Sequence, residues 1–422
     1  MGLVNGQRTR QYPAAREPAY RPPPRPLSRS SSHNIEVNPT SWMGRGPDAG
    51  RGPEYSVAWA GRGGFAVRMR IKRVDPADAD TIRACLEAFL AAQRVDEPDG
   101  PFFTEQPFRG WLTVGWGGDP RETWAAEGQD GSVAGWYRLE LPDLENLDHA
   151  NLDLVVHPAQ RRHGLGRALL KHAAGRAAEH GRSVLNAPTR LGGDGEAFAR
   201  AAGAEQGLVD IQRVMDVRAT GDDQLARLRA TAEEKAAGYS LVSWTGLVPE
   251  EFVERAASLY AALNDAPHDP GTAPAVWDAQ RVRERVNAVR PAYGLRTYAV
   301  AARHDATGEL AGFTEVAVDP ADPGWAHQML TGVTRAHRGH RLGLLVKVAM
   351  AEWLKAAEPQ VERLQTWNAQ SNQYMIAVNE ALGYTILGRP ASWWKLDVAS
   401  AVGLAAAAAG LGEQELASQN RR

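Results

Sequence analysis

The chain has 422 residues, 43% of them hydrophobic, and a formal net charge of −2. That length supports two ordinary domains, each with its own core, and the near-neutral balance gives no reason to expect nucleic acid or a membrane as partner. Cys85 is the single cysteine, which excludes an intrachain disulfide. With no apolar run long enough for a bilayer and no apolar signal-peptide core, the expected location is the cytoplasm.

Residues 1–68 are rich in Arg, Pro, Ser and Gly, with AYRPPPRPLSRSSSH at their centre. They lack apolar periodicity and cannot bury enough surface to offset ordering entropy, so a disordered tail is expected. PPPRP can dock on a polyproline-reading module, although a passive tail is the simpler reading. From Met69, MRIKRVDPADADTIRACLEAFLAA reads as a short strand, a turn at Asp75-Pro76 and an amphipathic helix, which would suit a natural start at Met69.

An internal repeat follows. VAGWYRLELP (133–142) aligns with LAGFTEVAVD (310–319), 177 positions later. The same offset places Val156 on Val333, Arg161 on Arg338, His163 on His340, Leu165 on Leu342 and Gly166 on Gly343. The opening at Lys72–Ala92 is echoed by Leu241–Leu263. Two copies of one domain are expected, over 69–217 and 239–398. An exposed charged linker helix is expected over 218–238, and an alanine-rich tail over 399–422.

In the second repeat the patterning predicts strands at Tyr239–Trp244, Thr297–His304, Leu310–Val318, Gln328–Val333, Gln360–Trp367 and Tyr384–Trp394. It predicts helices at Pro249–Leu263, Ala275–Val289, Leu342–Lys355 and Asn372–Leu382. Mixed strands with crossing helices define an α/β (α+β) class, one mixed central sheet per repeat, flanked by helices.

The chemistry centres on a loop that occurs twice, RRHGLGRALL (161–170) and RGHRLGLLVK (338–347). A strand that enters a glycine-containing turn and then a helix N-terminus forms an anion site. The first helical N–H groups have no internal partner, and the dipole favours negative charge there. Glycine admits a phosphate close to the backbone, and arginines offer paired donors. No Gly-Lys-Ser/Thr closes the loop, so it is not a nucleoside-triphosphate P-loop, and the first two glycines of a dinucleotide fingerprint are missing.

VVHPAQRRHGLGRALL and VTRAHRGHRLGLLVK resemble the cofactor signature of the GNAT superfamily of acetyl-CoA-dependent N-acetyltransferases. NQYMIAVNEALGY resembles that family's second signature. The tandem layout is similar to that of the mycothiol synthases. The resemblance implies two acyl-CoA N-acyltransferase domains that use acetyl-CoA as co-substrate and need no metal. Pantetheine would lie between the strand ending at Val333 and the strand ending near Trp367. Pyrophosphate would sit on the amides of Arg338, Gly339, His340, Arg341, Leu342, Gly343 and Leu344. The Val333 amide would face the thioester carbonyl, and Asn372 would touch the cofactor. In the first repeat Val156, Arg161, Arg162, His163, Gly164, Leu165 and Gly166 would take the corresponding places.

The repeats depart from the pattern differently. Arg341 stands where the first repeat has Gly164, and GEAFARAAGAEQG in the first repeat lacks the second signature. Many members place a tyrosine where this chain has Asn379, so the acid that protonates the leaving thiolate is open. Tyr374 is one and a half turns earlier on the same helix. Candidate bases for the amine are His327 and Glu315, where the first repeat has Ala150 and Arg138. Each can equally be a solvated strand residue. Gln328 and Thr331 can orient the acceptor. Trp244, Trp277, Trp353, Trp367, Trp393 and Trp394 read as core or pocket walls. His337 and His340 lack a third ligand for a metal. Cys85 lies in the first helix, far from either loop, which argues against a covalent route.

These features lead to an expected N-acetyltransferase acting on a small-molecule primary amine by direct attack. The second repeat would be catalytic, and the first structural, cofactor-holding or vestigial. The alternatives are a non-catalytic acyl-CoA sensor and an amide-forming acetyltransferase for an amino-sugar thiol. A monomer or homodimer is expected.

Overall fold

The computed structural model describes residues 55–60, 66–128 and 131–403. The first repeat runs β1 (Tyr55–Ala60), β2 (Ala66–Arg73), α1 (Ala79–Asp96), α2 (Glu105–Thr113), β3 (Arg121–Glu127), β4 (Val133–Glu140), β5 (His149–Val156), α3 (Leu165–Glu179), β6 (Val184–Arg190), α4 (Asp194–Ala201) and β7 (Glu205–Asp216). Helix α5 (Asp222–Glu233) connects it to β8 (Tyr239–Thr245), α6 (Glu250–Ala261), α7 (Ala279–Val282), β9 (Arg296–His304), β10 (Leu310–Val318) and β11 (Trp325–Val333). The second repeat closes with α8 (Leu342–Ala357), β12 (Arg363–Ala369), α9 (Gln373–Ala381), β13 (Thr385–Ile386), β14 (Ala391–Asp397) and α10 (Val398–Gly403).

Every residue of β10 is buried, the mark of a central strand covered on both faces. Around it forms one continuous sheet, ordered β1-β2-β3-β4-β5-β6-β14-β7-β12-β11-β10-β9-β8, with β13 beside β7. Two neighbouring pairs are parallel, β5 with β6 and β11 with β12, one in each repeat. The centre of the sheet is made by exchange. The C-terminal half of strand β7 of the first repeat pairs with the whole of β12 of the second, from Arg363↔Asp216 to Ala369↔Asp210. Strand β14 of the second repeat pairs with β6 of the first, from Ala391↔Arg190 to Asp397↔Val184.

The cores follow the exchange. Met215 and Val217 belong to the core built on α8, whereas Leu396, Val398 and Ala401 belong to the core built on α3. The expectation of a self-sufficient core in each repeat is thus corrected: each sheet is completed by the other repeat's strand.

Other expectations are also adjusted. Residues 55–60 and 66–68, placed in the disordered tail, pair as a hairpin whose register runs Tyr55↔Ile71 to Ala60↔Ala66; the rest of 1–68 lies outside the described residues. Residues 399–403, assigned to the alanine-rich tail, extend a helix in which Ala401 is fully buried; 404–422 lie outside the described residues. The linker helix forms, and its Leu225 and Ala232 pack against α8. The helix expected over Ala275–Val289 is only α7, which passes into a wide turn at Arg283–Asn287 and a tight one at Arg290–Tyr293. The strand expected over Tyr384–Trp394 is split into β13 and β14 by Gly388, which is left-handed (φ +64°), and Pro390.

Candidate active site

Each repeat opens a wedge in the sheet. Strands β5 and β6 pair only at His149↔Val184, Ala150↔Leu185 and Asn151↔Asn186, and then part. Strands β11 and β12 pair at Trp325↔Arg363, Ala326↔Leu364 and His327↔Gln365, and then part. Past the last rung, one edge of β5 and of β11 has no strand partner. Thr334 donates its N–H to Ala311 O, and His157 donates to Ala134 O. Successive amides along a strand point to opposite edges, so the N–H groups of Val333 and Val156 face into the wedges.

The repeats differ at this point. In β11, Glu315 opposes Leu330 and Val316 opposes Gln328, so Met329 is an extra residue that bulges the strand. The β4–β5 ladder from Gly135↔Val156 to Glu140↔Asn151 has no such shift. A bulge leaves its extra residue unpaired and bends the strand.

Both wedges lead directly into the basic loops. The first helical bonds are Ala168 N–H to Gly164 O in α3 and Leu345 N–H to Arg341 O in α8. That leaves Leu165, Gly166 and Arg167, and equally Leu342, Gly343 and Leu344, with N–H groups that have no helical acceptor. Each loop contains two left-handed residues, and glycine and arginine trade places between them. The first has Arg162 (φ +67°) and Gly164 (φ +87°); the second has Gly339 (φ +89°) and Arg341 (φ +53°). Arg341 therefore reproduces the backbone of Gly164, at a cost of about 1 kcal/mol for a non-glycine residue in that region. Its guanidinium is drawn off to Thr231 O, 2.7 Å away on the linker helix.

The arginines expected to grip phosphate through their side chains do otherwise. Arg161 Nε lies 3.3 Å from Val156 O, and its Nη1 is 2.9 Å from Asp96. Arg338 Nε lies 3.3 Å from Val333 O, and its Nη2 is 2.6 Å from Asp265. Both side chains brace the loop against the end of the wedge strand and a preceding carboxylate. His163 is half-buried, with an unpartnered Nδ1. His340 donates to Lys235 O at 3.1 Å, and His337 meets the Tyr239 hydroxyl at 2.8 Å.

The two candidate bases lie near the β11–β12 wedge, but neither is free to take a proton. Glu315 is buried; Arg290 Nη2 lies 2.5 Å and the Tyr260 hydroxyl 3.1 Å from its Oε1. His327 occupies the last rung before the split, and its Nδ1 is 2.6 Å from Gln365 Nε2. Burial pushes its pKa down to about 4, against a small opposing effect of Asp319. Gln365 in turn meets Gln212, which meets Arg190, so this contact set comes from both repeats. None of these three partners was singled out in the sequence, because β6, β7 and β12 become neighbours only through the strand exchange.

Asn379 is fully buried and donates to Asn368 Oδ1 at 2.6 Å, while its own Oδ1 is unpartnered. An amide has no dissociable proton at neutral pH, so Asn379 ties α9 to β12 and does not act as the acid. Tyr374 is 61% exposed and turned away from the core. Asn372 caps α9, accepting the Met375 N–H at 3.2 Å. Gln328 and Thr331 are engaged with Thr314, at 2.6 and 2.8 Å, and so brace β10. Trp244 and Trp394 are core residues, and Trp367 is 37% exposed beneath the Arg190 guanidinium.

In the first repeat the same face is closed by a network. Arg138, at the position of Glu315, pairs with Asp153 at 2.6 Å and lies 4.2 Å over the Trp111 ring. A Cβ on Gly166 would meet the Phe198 ring at 3.4 Å, whereas one on Gly343 would meet only Val333, at 3.7 Å. Two adjoining cavities, about 670 and 410 Å³, share Pro98, Asp99, Gly100 and Leu387 in their walls. The smaller is also lined by Glu97, Arg190 and Gln212.

Two wedges in one sheet, each feeding a glycine-punctuated helix start, are the architecture of an acyltransferase. The sequence profile of the acetyltransferase (GNAT) family matches residues 82–192. A tandem GNAT protein from the clavulanic acid biosynthesis pathway is 30% identical, with a TM-score of 0.65, over 78% of this chain and 98% of that one. The chain belongs to the GNAT family, in its tandem form. A GCN5-related N-acetyltransferase from Sphaerobacter thermophilus shares the fold at 16% identity and TM-score 0.55, over 78% of this chain and 96% of the other. A glucosamine N-acetyltransferase region of a fungal multi-domain β-N-acetylglucosaminidase does so at 16% identity and TM-score 0.51, over 79% of this chain and 39% of the other. No curated protein matches the sequence.

Proposed function

We propose that the protein transfers the acetyl group of acetyl-CoA to a primary amine of a small molecule, by direct attack in the β11–β12 wedge. The observation that carries this reading is the bulge at Met329, four residues before the wedge-facing Val333 amide on the strand that leads to the free N–H groups of Leu342, Gly343 and Leu344. The loop amides would hold the pyrophosphate, and the Val333 N–H would stabilise the oxyanion that forms on the thioester carbonyl. Direct attack is favoured because Cys85 is fully buried, with burial pushing its thiol up to about 12. With Glu315 paired and His327 capped, the amine enters in its neutral form; as the C–N bond forms and the C–S bond breaks, the proton lost by the nitrogen passes to the departing thiolate directly or through water, and catalysis rests on positioning and oxyanion stabilisation. The first repeat, which carries the better match to the family profile, would act as a scaffold; its acceptor face is closed by Arg138 and Trp111.

Calorimetric titration of acetyl-CoA tests this. One site per chain is expected, lost in Gly343→Asp, where a carboxylate opposes the pyrophosphate, and retained in Gly166→Asp. Loss of binding in a folded Gly166→Asp variant alone would move the working site to the first repeat. An amine screen on the wild type then tests turnover; binding without turnover on any amine would favour an acyl-CoA sensor.

A further inference from the structure

We infer that the first repeat sets the protonation pattern of the second. Arg190, Gln212 and Gln365 form a one-way hydrogen-bonded chain that holds His327 as a neutral imidazole with its proton on Nε2, a donor to an oxygen of the amine-bearing substrate and not a base. The substrate's part in this rests on the proposed acyl transfer at the β11–β12 wedge; the state of His327 does not.

The direction of the chain is fixed at its start. A guanidinium can only donate. Arg190 is held by the Glu97 carboxylate and lies 4.2 Å over the Trp367 ring, and its Nη2 lies 3.0 Å from Gln212 Oε1. The amide nitrogen of Gln212 must then face Gln365, whose oxygen accepts it. The amide nitrogen of Gln365 is thereby turned to His327 Nδ1, at 2.6 Å. An amide nitrogen offers no lone pair, so Nδ1 must be the acceptor. The neutral ring then carries its proton on Nε2, which has no protein partner among the described residues. Flipping either glutamine would set donor against donor. Burial disfavours the imidazolium, and the Asp319 charge opposes this without overcoming it. At the apex of the wedge, a neutral N–H can stabilise a partly negative oxygen without adding net charge.

The test is imidazole ¹⁵N–¹H correlation spectroscopy of the full-length protein labelled at histidine nitrogen, with His327 assigned by the signal lost in His327→Gln. The expected spectrum has an unprotonated Nδ1 and a protonated Nε2, unchanged from about pH 5.5 to about pH 8. Gln365→Glu replaces the donor by a carboxylate; the proton is expected to move to Nδ1, and the ring to titrate within that window. Gln212→Met, which breaks the link to the first repeat, is expected to give a mixed tautomer. A wild-type His327 protonated on Nδ1, or titrating in that window, overturns the proposal; so does a Gln212→Met spectrum identical to wild type. The readout needs no substrate, so a failure of the acyl-transfer reading appears separately, as absent turnover.

Discussion

Lys347 offers a sharp test of the packing around the second loop. It lies on α8 at the position where the first repeat has Leu170, which is 4% exposed. Lys347 itself is 3% exposed, and its Nζ sits 4.9 Å from the centre of the Tyr384 ring, with no carboxylate in ion-pair range among the described residues. Burial pushes the ammonium from 10.5 down to about 7. The folded-state value lies below the unfolded one, so between these limits the unfolded chain binds more protons. Stability therefore rises with pH across the window and is lost as pH falls towards 7. At 1.36 kcal/mol per unit, holding this lysine in the core costs about 4 kcal/mol at pH 7 and about 1 kcal/mol near pH 10. Lys347→Leu removes that penalty and forfeits a cation–π contact of about 1 kcal/mol. The variant is expected to gain about 3 kcal/mol at pH 7, and its advantage to shrink to about 1 kcal/mol near pH 10, where the folded-state amine is neutral and the cation–π contact is already gone. Guanidinium unfolding of both proteins at the two pH values measures this difference directly. A variant no more stable than wild type at pH 7, or one with an undiminished advantage at high pH, would refute the reasoning.

Two further outcomes are expected. Cys85, fully buried with its thiol pushed up to about 12, should react with a thiol reagent only at the rate of unfolding, and acyl transfer should survive Cys85→Ala; fast labelling of the native protein, or loss of turnover in that variant, would restore a covalent route. Arg290→Met should cost about 3 kcal/mol, since it strands the Glu315 carboxylate in the core, whereas Glu315→Gln should cost less. Thermal melts that rank them the other way would remove Glu315 from its structural role and return it as a candidate base.

The repeat and its loops were legible because they depend on local pattern. The 177-residue offset that aligns Gly166 with Gly343 also aligns the left-handed positions Arg162 with Gly339 and Gly164 with Arg341. The exchange of Arg and Gly between those places is invisible to a pattern that counts glycines. Strand partnership was not legible. Residues 205–216 and 391–397 have ordinary strand patterns, and nothing local in them says which sheet they enter. The same non-locality hid Arg190, Gln212 and Gln365, which meet only after β7 has crossed to β12. The bulge at Met329 was missed because LAGFTEVAVD opposes a strand one residue too long, a mismatch that only the paired register reveals.

The crossing of β7 and β14 also orders events in time. One edge of β6 pairs with β5, but its other edge has no partner until residues 391–397 have been made. A chain emerging from the ribosome, N-terminus first, must therefore carry an unfinished first half through synthesis of nearly all of the second. The open edge it presents in that interval is the kind that recruits stray strands. The segment that ends the exposure is the last strand among the described residues, so a truncation ahead of Ala391 would damage the half of the molecule most distant from it in sequence.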